Sequence, residues 1–234
     1  MIVSLVLPCY NPPPDWEQIV CEKYTSFGKG LAETLELLIV LDGKSANVTE
    51  QSLSFLRQQI QKLSVVEYAD NKGKGYAIRL GVAKANGDII MYTDVDFPYT
   101  EVSMLSIYQS LSSGECDVAV GVKDAAYYTH VPFVRRLISR WLRFVVRTFL
   151  SMPITDTQCG LKGFKRDVAP LFLQTTIDRY LFDLEFVRNC YRGKKYRVLA
   201  VPVSLNENVH FRKMNFRILL PEMLNFGRLL FRKQ

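Results

Sequence analysis

Long uncharged runs are missing from this chain of 234 residues. A membrane-crossing helix needs about 18 or more consecutive apolar residues. The longest stretch without a charged side chain is residues 1–14, and it closes on Pro12, Pro13 and Pro14. No spanning helix is expected. The amino terminus has no basic segment ahead of its apolar run, so it does not read as a signal peptide. There is no C-x-x-C pair. The cysteines (Cys9, Cys21, Cys116, Cys159, Cys190) are odd in number and scattered, which predicts reduced thiols in a cytosolic protein. Asn47-Val48-Thr49 matches a glycosylation sequon, read as chance without a secretory signal. Neither a G-x-x-x-x-G-K-[ST] loop nor a G-x-G-x-x-G fingerprint occurs, so no P-loop or dinucleotide site is indicated. No repeat or low-complexity linker breaks the chain.

Positive charge, by contrast, is plentiful: Lys and Arg number 30 against 23 Asp and Glu, a net charge of +7 and a pI near 9.1. A basic excess points to an anionic partner, whether nucleic acid, a phosphorylated ligand or an acidic membrane surface. Two segments hold it. Residues 134–150 contain Arg135, Arg136, Arg140, Arg143 and Arg147 with no acid; residues 209–234 carry six cations against Glu222. Each sums to +5, so the other 191 residues sum to −3. Trp141, Phe144 and Phe149 in the first, and Phe216, Leu219, Met223 and Phe226 in the second, add apolar stripes. Both read as interfacial helices, arginines to lipid phosphates and apolar side chains into the headgroup boundary.

Apolar runs at 2–7, 35–41, 64–68, 88–93 and 117–122 read as strands. Helical spacing covers 15–28, 50–63, 75–85 and 100–112. This alternation predicts an α/β fold, a mostly parallel sheet with helices on both faces. After residue 130 the pattern is mostly helical, with one strand over 196–203. The division expected is a catalytic domain over 1–208 and a basic amphipathic segment over 209–234. In such sheets ligands bind at the carboxyl ends of strands. Tyr10-Asn11, Asp42 and Asp94-x-Asp96 each follow a strand. Two carboxylates so placed can hold one hard divalent cation, Mg²⁺ or Mn²⁺, together with substrate phosphate oxygens. Asn71-x-Gly73-Lys74-Gly75 ahead of a helix suits an anion.

Leu7-Pro8-Cys9-Tyr10-Asn11, Val40-Leu41-Asp42-Gly43, Asn71-x-Gly73-Lys74-Gly75, Asn86-Gly87-Asp88 and Asp94-x-Asp96 stand in the order found in family 2 glycosyltransferases. Asp156-Thr157-Gln158-Cys159-Gly160-Leu161-Lys162, Phe182-Asp183-Leu184-Glu185 and Val201-Pro202-Val203 narrow the resemblance to the dolichyl-phosphate mannose and glucose synthase branch. It covers roughly residues 1–205. It implies a Rossmann-like GT-A fold and inverting, metal-dependent transfer of a hexose from a UDP- or GDP-linked donor to a polyprenyl phosphate. It assigns Pro8, Tyr10, Asn11 and Asp42 to the nucleoside pocket, with Lys74 in the segment that follows. Asp94 and Asp96 match the metal and diphosphate motif, and Asp156 and Gln158 face the sugar. Lys123, Arg135 and Ser139 match positions that receive the acceptor phosphate. The implied setting is peripheral attachment to an anionic membrane at its cytoplasmic face.

Four positions depart from the family pattern. Leu41 replaces the first of two aspartates. Pro12 stands where a glutamate often follows Tyr-Asn, and Pro98 where mannose synthases carry a metal-site glutamine. No Ser-Lys segment is evident in 206–213. Two rival functions are weighed. A glycosyltransferase acting on a saccharide hydroxyl in surface polysaccharide synthesis needs a carboxylate base, for which Asp156, Asp183 and Glu185 are candidates. A basic nucleic-acid-binding module is permitted by the charge, but no nucleic-acid motif appears and no such partner is expected.

Overall fold

Strand β1 (Ile2–Cys9) is apolar at nearly every position because it is covered on both faces. Val3, Leu5, Leu7 and Cys9 enter one hydrophobic cluster and Val6 the other, the two-residue alternation of a strand. β2 (Thr34–Asp42) repeats the pattern, with Leu35, Leu37, Ile39 and Leu41 on the first side and Leu38 and Val40 on the second. The computed structural model describes residues 1–123, 152–154, 156–206 and 226–227. The remaining strands are β3 (Leu63–Tyr68), β4 (Ile89–Tyr92), β5 (Val118–Lys123), β6 (Lys162–Lys165) and β7 (Val198–Val203). They form one sheet of seven in the order β3-β2-β1-β4-β6-β5-β7.

Helices α1 (Trp16–Lys29), α2 (Glu50–Gln59) and α4 (Glu101–Ser112) supply Trp16, Phe27, Leu56 and Ile107 to the first cluster. Helices α3 (Lys74–Lys84), α5 (Ala169–Leu173) and α6 (Phe182–Gly193) supply Ile78, Phe172, Phe182 and Phe186 to the second. The expected mostly parallel sheet with helices on both faces is what forms.

Two expectations need correction. The helix expected over 50–63 begins with a capping box, Thr49 and Ser52 exchanging side-chain and backbone hydrogen bonds, but ends at Gln59. Ile60 turns to extended backbone at φ −121°, ψ 105°, and Leu63 pairs with Leu37 instead. Apolar spacing continued past the helix because both elements face the same core. The second correction is β6, which no reading of the sequence anticipated. Lys162-Gly163-Phe164-Lys165 is only four residues, two of them lysines, yet it runs antiparallel between β4 and β5. Asn86-Gly87-Asp88 also proves architectural: Gly87 N–H donates to Ser4 Oγ and Asp88 accepts from Ile2 N–H, closing the amino edge. Among the described residues no helix is long and apolar enough to cross a membrane. All five cysteines are free thiols. The segments read as interfacial helices fall almost wholly outside the described residues.

Candidate active site

Parallel pairing of β1, β2 and β4 brings the ends of these strands to one edge of the sheet. β5 runs parallel to β4 across the reversed β6, so Lys123 ends at the same edge. Because β6 is reversed, the segment before it, not after it, arrives there. That topology delivers residues 156–161 to the ends of the other strands.

At the end of β1, Pro8 is half-buried within the strand and Tyr10 is 45% exposed. Asn11 takes a left-handed backbone, φ 46°, and accepts a hydrogen bond from Ser45 Oγ at 3.1 Å. At the end of β2, Asp42 is buried and its carboxylate is fully occupied. It accepts from Tyr68 Oη at 2.8 Å, Asn71 Nδ2 at 2.9 Å, and the backbone N–H groups of Lys72 at 2.7 Å and Gly73 at 3.0 Å. Asp42 therefore fixes the loop over 71–73 and aims α3, whose first residue is Lys74. Gly73 sits at φ 110°, a conformation that side chains rarely adopt.

Lys74 Nζ lies 2.5 Å from Asp94 Oδ1, past the end of β4. Burial alone would lower the Lys74 ammonium, but the Asp94 charge, then that of Asp183, hold it above the ordinary lysine value. Asp96 is exposed. Gly160 closes over the pair: a Cβ there would stand 2.7 Å from Asp94 Oδ2 and 3.3 Å from Lys74 Nζ. The Gly160 N–H donates to Tyr99 Oη at 2.8 Å. Beside this group, Asp156 Oδ2 accepts from the Lys123 N–H at 2.9 Å, and the two side chains pair at 3.9 Å. Gln158 Nε2, Thr157 Oγ1 and Thr93 Oγ1 are buried with no hydrogen-bond partner among the described residues.

The site rests on a buried ion pair. Lys162 is fully buried; its ammonium donates to Asp183 Oδ1 at 2.7 Å and to the Cys159 carbonyl. Tyr92 Oη donates to Asp183 Oδ1 at 2.6 Å. Burial, then the Asp183 charge, push the Tyr92 phenol well above its usual value, which keeps it a donor. Glu185, also buried, accepts from the N–H groups of Thr176 and Ile177 and from Thr176 Oγ1. Asp183 and Glu185 are thus withdrawn as candidate bases, because both carboxylates hold the framework together from inside it. The structure adds Tyr99, Gly160 and Lys162 to the site. The last two stand inside the 156–162 motif; nothing in the sequence marks Tyr99. Arg135 and Ser139 lie outside the described residues. A cleft of about 710 Å³ opens at the opposite, amino edge beside Asp117, Lys165 and Tyr196, and none of the expected site residues lines it.

The model of the family described as Glycosyl transferase family 2 matches residues 4–171. The chain belongs to glycosyl transferase family 2. Within it, the chain is similar to the dolichyl-phosphate beta-glucosyltransferase of Drosophila melanogaster, 28% identical over 200 residues, which are 79% of this chain and 61% of that protein. The corresponding protein of Saccharomyces cerevisiae is 23% identical over 226 residues, 88% of this chain and 67% of that one. This chain thus spans less than two thirds of the fly relative and about two thirds of the yeast one. Among solved structures, glucosyl-3-phosphoglycerate synthase from Mycobacterium tuberculosis in complex with Mn²⁺ and UDP-glucose matches with a TM-score of 0.65 at 18% identity, covering 97% of this chain and 77% of that one. That likeness shows the fold, which is GT-A.

In this family 2 chain, the closeness of Gly160 to Asp94 gives a direct test. Gly160→Ala must displace Asp94, Lys74 or the loop by a few tenths of an ångström or more. Displacements approaching 1 Å lower rates by up to about 100-fold. The expected result is a drop of about 10- to 100-fold in transfer, with thermal unfolding within a few degrees of the parent. Unchanged kinetics would show that the close approach has no catalytic consequence.

Proposed function

We propose that this protein transfers a hexose from a nucleoside-diphosphate sugar, UDP- or GDP-linked, to a polyprenyl phosphate, with inversion at the anomeric carbon. The observation that carries the reading is two ammonium–carboxylate couples at one sheet edge, Lys74–Asp94 and Lys123–Asp156. Cations at two neighbouring points suit two anions, the donor diphosphate and the acceptor phosphate. The acceptor oxygen attacks the anomeric carbon as the bond to the diphosphate oxygen breaks, and the nucleoside diphosphate leaves with the electron pair. A phosphate monoester is already largely dianionic near pH 7, its second pKa being about 6, so no base has to remove a proton. The state of the carboxylates supports this over a hydroxyl acceptor. Asp183 and Glu185 are buried, and Asp156 is held by Lys123. Gln158 Nε2 supplies a donor for the sugar.

The residues fit a divalent cation. Asp94 and Asp96 offer hard carboxylate oxygens past a strand end, and the missing side chain of Gly160 spares Asp94 Oδ2 a Cβ that would stand 2.7 Å away. Among the described residues no third His, Cys, Asp or Glu joins them, which suits Mg²⁺ or Mn²⁺ completing its shell with substrate phosphates and water. When bound, the cation neutralises charge on the leaving diphosphate. Pro8, Tyr10 and Asn11 line the nucleoside pocket, with Asp42 shaping it through the 71–73 loop. Arg135 and Ser139 are part of the acceptor site. The basic segments 134–150 and 209–234 attach the protein to an anionic membrane at its cytoplasmic face. The names of the fly and yeast relatives support the acceptor class, and the Mycobacterium complex supports the donor class.

The test incubates purified protein and Mn²⁺ with labelled UDP-glucose or GDP-mannose, and with polyprenyl phosphate or a saccharide acceptor. Label is expected in the lipid fraction with one of the two donors. Transfer to saccharide alone, with no lipid phosphate accepted, would sink the proposal in favour of the hydroxyl-acceptor reading.

A further inference from the structure

Lys74 occupies the carboxylate that a metal needs. Its ammonium lies 2.5 Å from Asp94 Oδ1, with Gly160 packed against the other oxygen of that carboxylate. The backbone of Lys74 is fixed, so only its side chain can move: it is the first residue of α3, and that end is clamped from two sides. Asp42 receives the Gly73 N–H before it, and the Tyr76 N–H just after it donates to the Asp178 carbonyl at 3.1 Å. The Lys74 side chain is 17% exposed and that of Asp94 38%, so water weakens the pair only in part. An ammonium and a divalent cation compete for the same oxygens and repel each other.

A diphosphate changes this balance. Its oxygens offer Lys74 another anionic partner beside the start of α3. We infer that Lys74 is an interlock: it guards Asp94 against metal until a nucleoside diphosphate draws the ammonium away, so that metal and nucleotide bind with positive coupling. The inference rests on the glycosyl-transfer reading and deepens it. By linkage, the factor by which nucleotide tightens metal is also the factor by which metal tightens nucleotide.

Mn²⁺ binding to the whole chain is titrated by electron paramagnetic resonance of the free ion, alone and with saturating UDP, then GDP, each nucleotide series read against the same nucleotide and Mn²⁺ without protein. The parent is expected to bind Mn²⁺ weakly alone and about 5- to 150-fold more tightly with one of the nucleotides, the usual range of such coupling. Lys74→Met is expected to bind Mn²⁺ alone at least about fivefold more tightly than the parent, with the nucleotide effect reduced by a similar factor. Lys74→Gln reports the same quantity should the methionine variant not fold. Lys84→Met is the control for net charge. Lys84 is exposed at the far end of the same helix. It should leave Mn²⁺ binding unchanged. If the Lys74 variants bind Mn²⁺ alone no more tightly than the parent, or Lys84→Met tightens it equally, the interlock is wrong while hexose transfer stands. If the parent takes up no Mn²⁺ with either nucleotide, the metal reading fails and the interlock with it.

Discussion

Asp96→Ala is expected to lower the proposed hexose transfer by at least about 100-fold, because the proposal makes Asp96 a metal ligand and even outer partners of such ligands are worth 10- to 100-fold. The exposed Asp96 side chain lies outside both core clusters, so the variant should unfold within a few degrees of the parent when no ligand is present. The difference should appear on addition of Mn²⁺ with UDP or GDP. Ligands that bind only the native state raise its stability by mass action, about 2.7 kcal/mol at 100 times the dissociation constant. The parent therefore gains several degrees with metal and nucleotide together, and Asp96→Ala loses most of that gain. Thermal unfolding read across this panel, with transfer kinetics, checks it. Full activity in the variant would remove Asp96 from the site and leave Asp94 as the sole strand-end ligand.

The largest effect on stability is expected at Lys162. Lys162→Met strips the buried Asp183 carboxylate of its cation, and breaking a buried pair by removing one partner costs about 3–5 kcal/mol. Urea unfolding should show a loss of unfolding free energy of that size, read as a lower midpoint at an unchanged slope. The triple variant Lys162→Met, Asp183→Leu, Tyr92→Phe removes the charges and the hydroxyl that faces them. Replacing a whole buried ionic group by apolar side chains is often neutral or favourable, so most of the lost stability should return. Transfer should not return. Lys162 also donates to the Cys159 carbonyl, and no apolar side chain replaces that anchor for the 156–160 loop. A triple variant as unstable as the single one would mean that the ion pair is not the source of the loss. Recovery of both stability and activity would mean that the loop does not need its anchor.

Much of this was legible in the sequence because the signals were local. The strands of the first half announce themselves as apolar runs, and Asp42, Asp94 and Asp96 follow them directly. Their meeting at one edge is a property of parallel pairing, which the alternation of strands and helices implies. Pairing over a distance was not legible. Lys162 reads as a surface lysine until Asp183, 21 residues later, is placed beside it in the core. Asp183 and Glu185 read as a charged first turn of a helix, and only the tertiary structure shows that they face inward. Asp42 stands out in the sequence by following a strand, but nothing local shows that its carboxylate also holds four residues of its own chain. Strand β6 was hidden because its two lysines and glycine carry no alternating apolar pattern.

That short strand also sets the order of assembly. β1 to β4 form a contiguous half-sheet from the first 92 residues, all parallel and close in sequence. β4 then waits. Its second edge, Ile89-Ile90-Met91-Tyr92, is apolar throughout, and it stays open until Lys162–Lys165 leaves the ribosome and docks against it. β5 ends 39 residues before β6 begins at Lys162, yet among the described residues it joins the sheet only through β6 and β7. An open apolar edge is a template for pairing with other chains. A nascent chain stalled or cut between residues 123 and 162 therefore exposes both an unpaired edge and an orphan strand. Such a fragment is expected to aggregate more readily than the whole chain, as light scattering of the two would show.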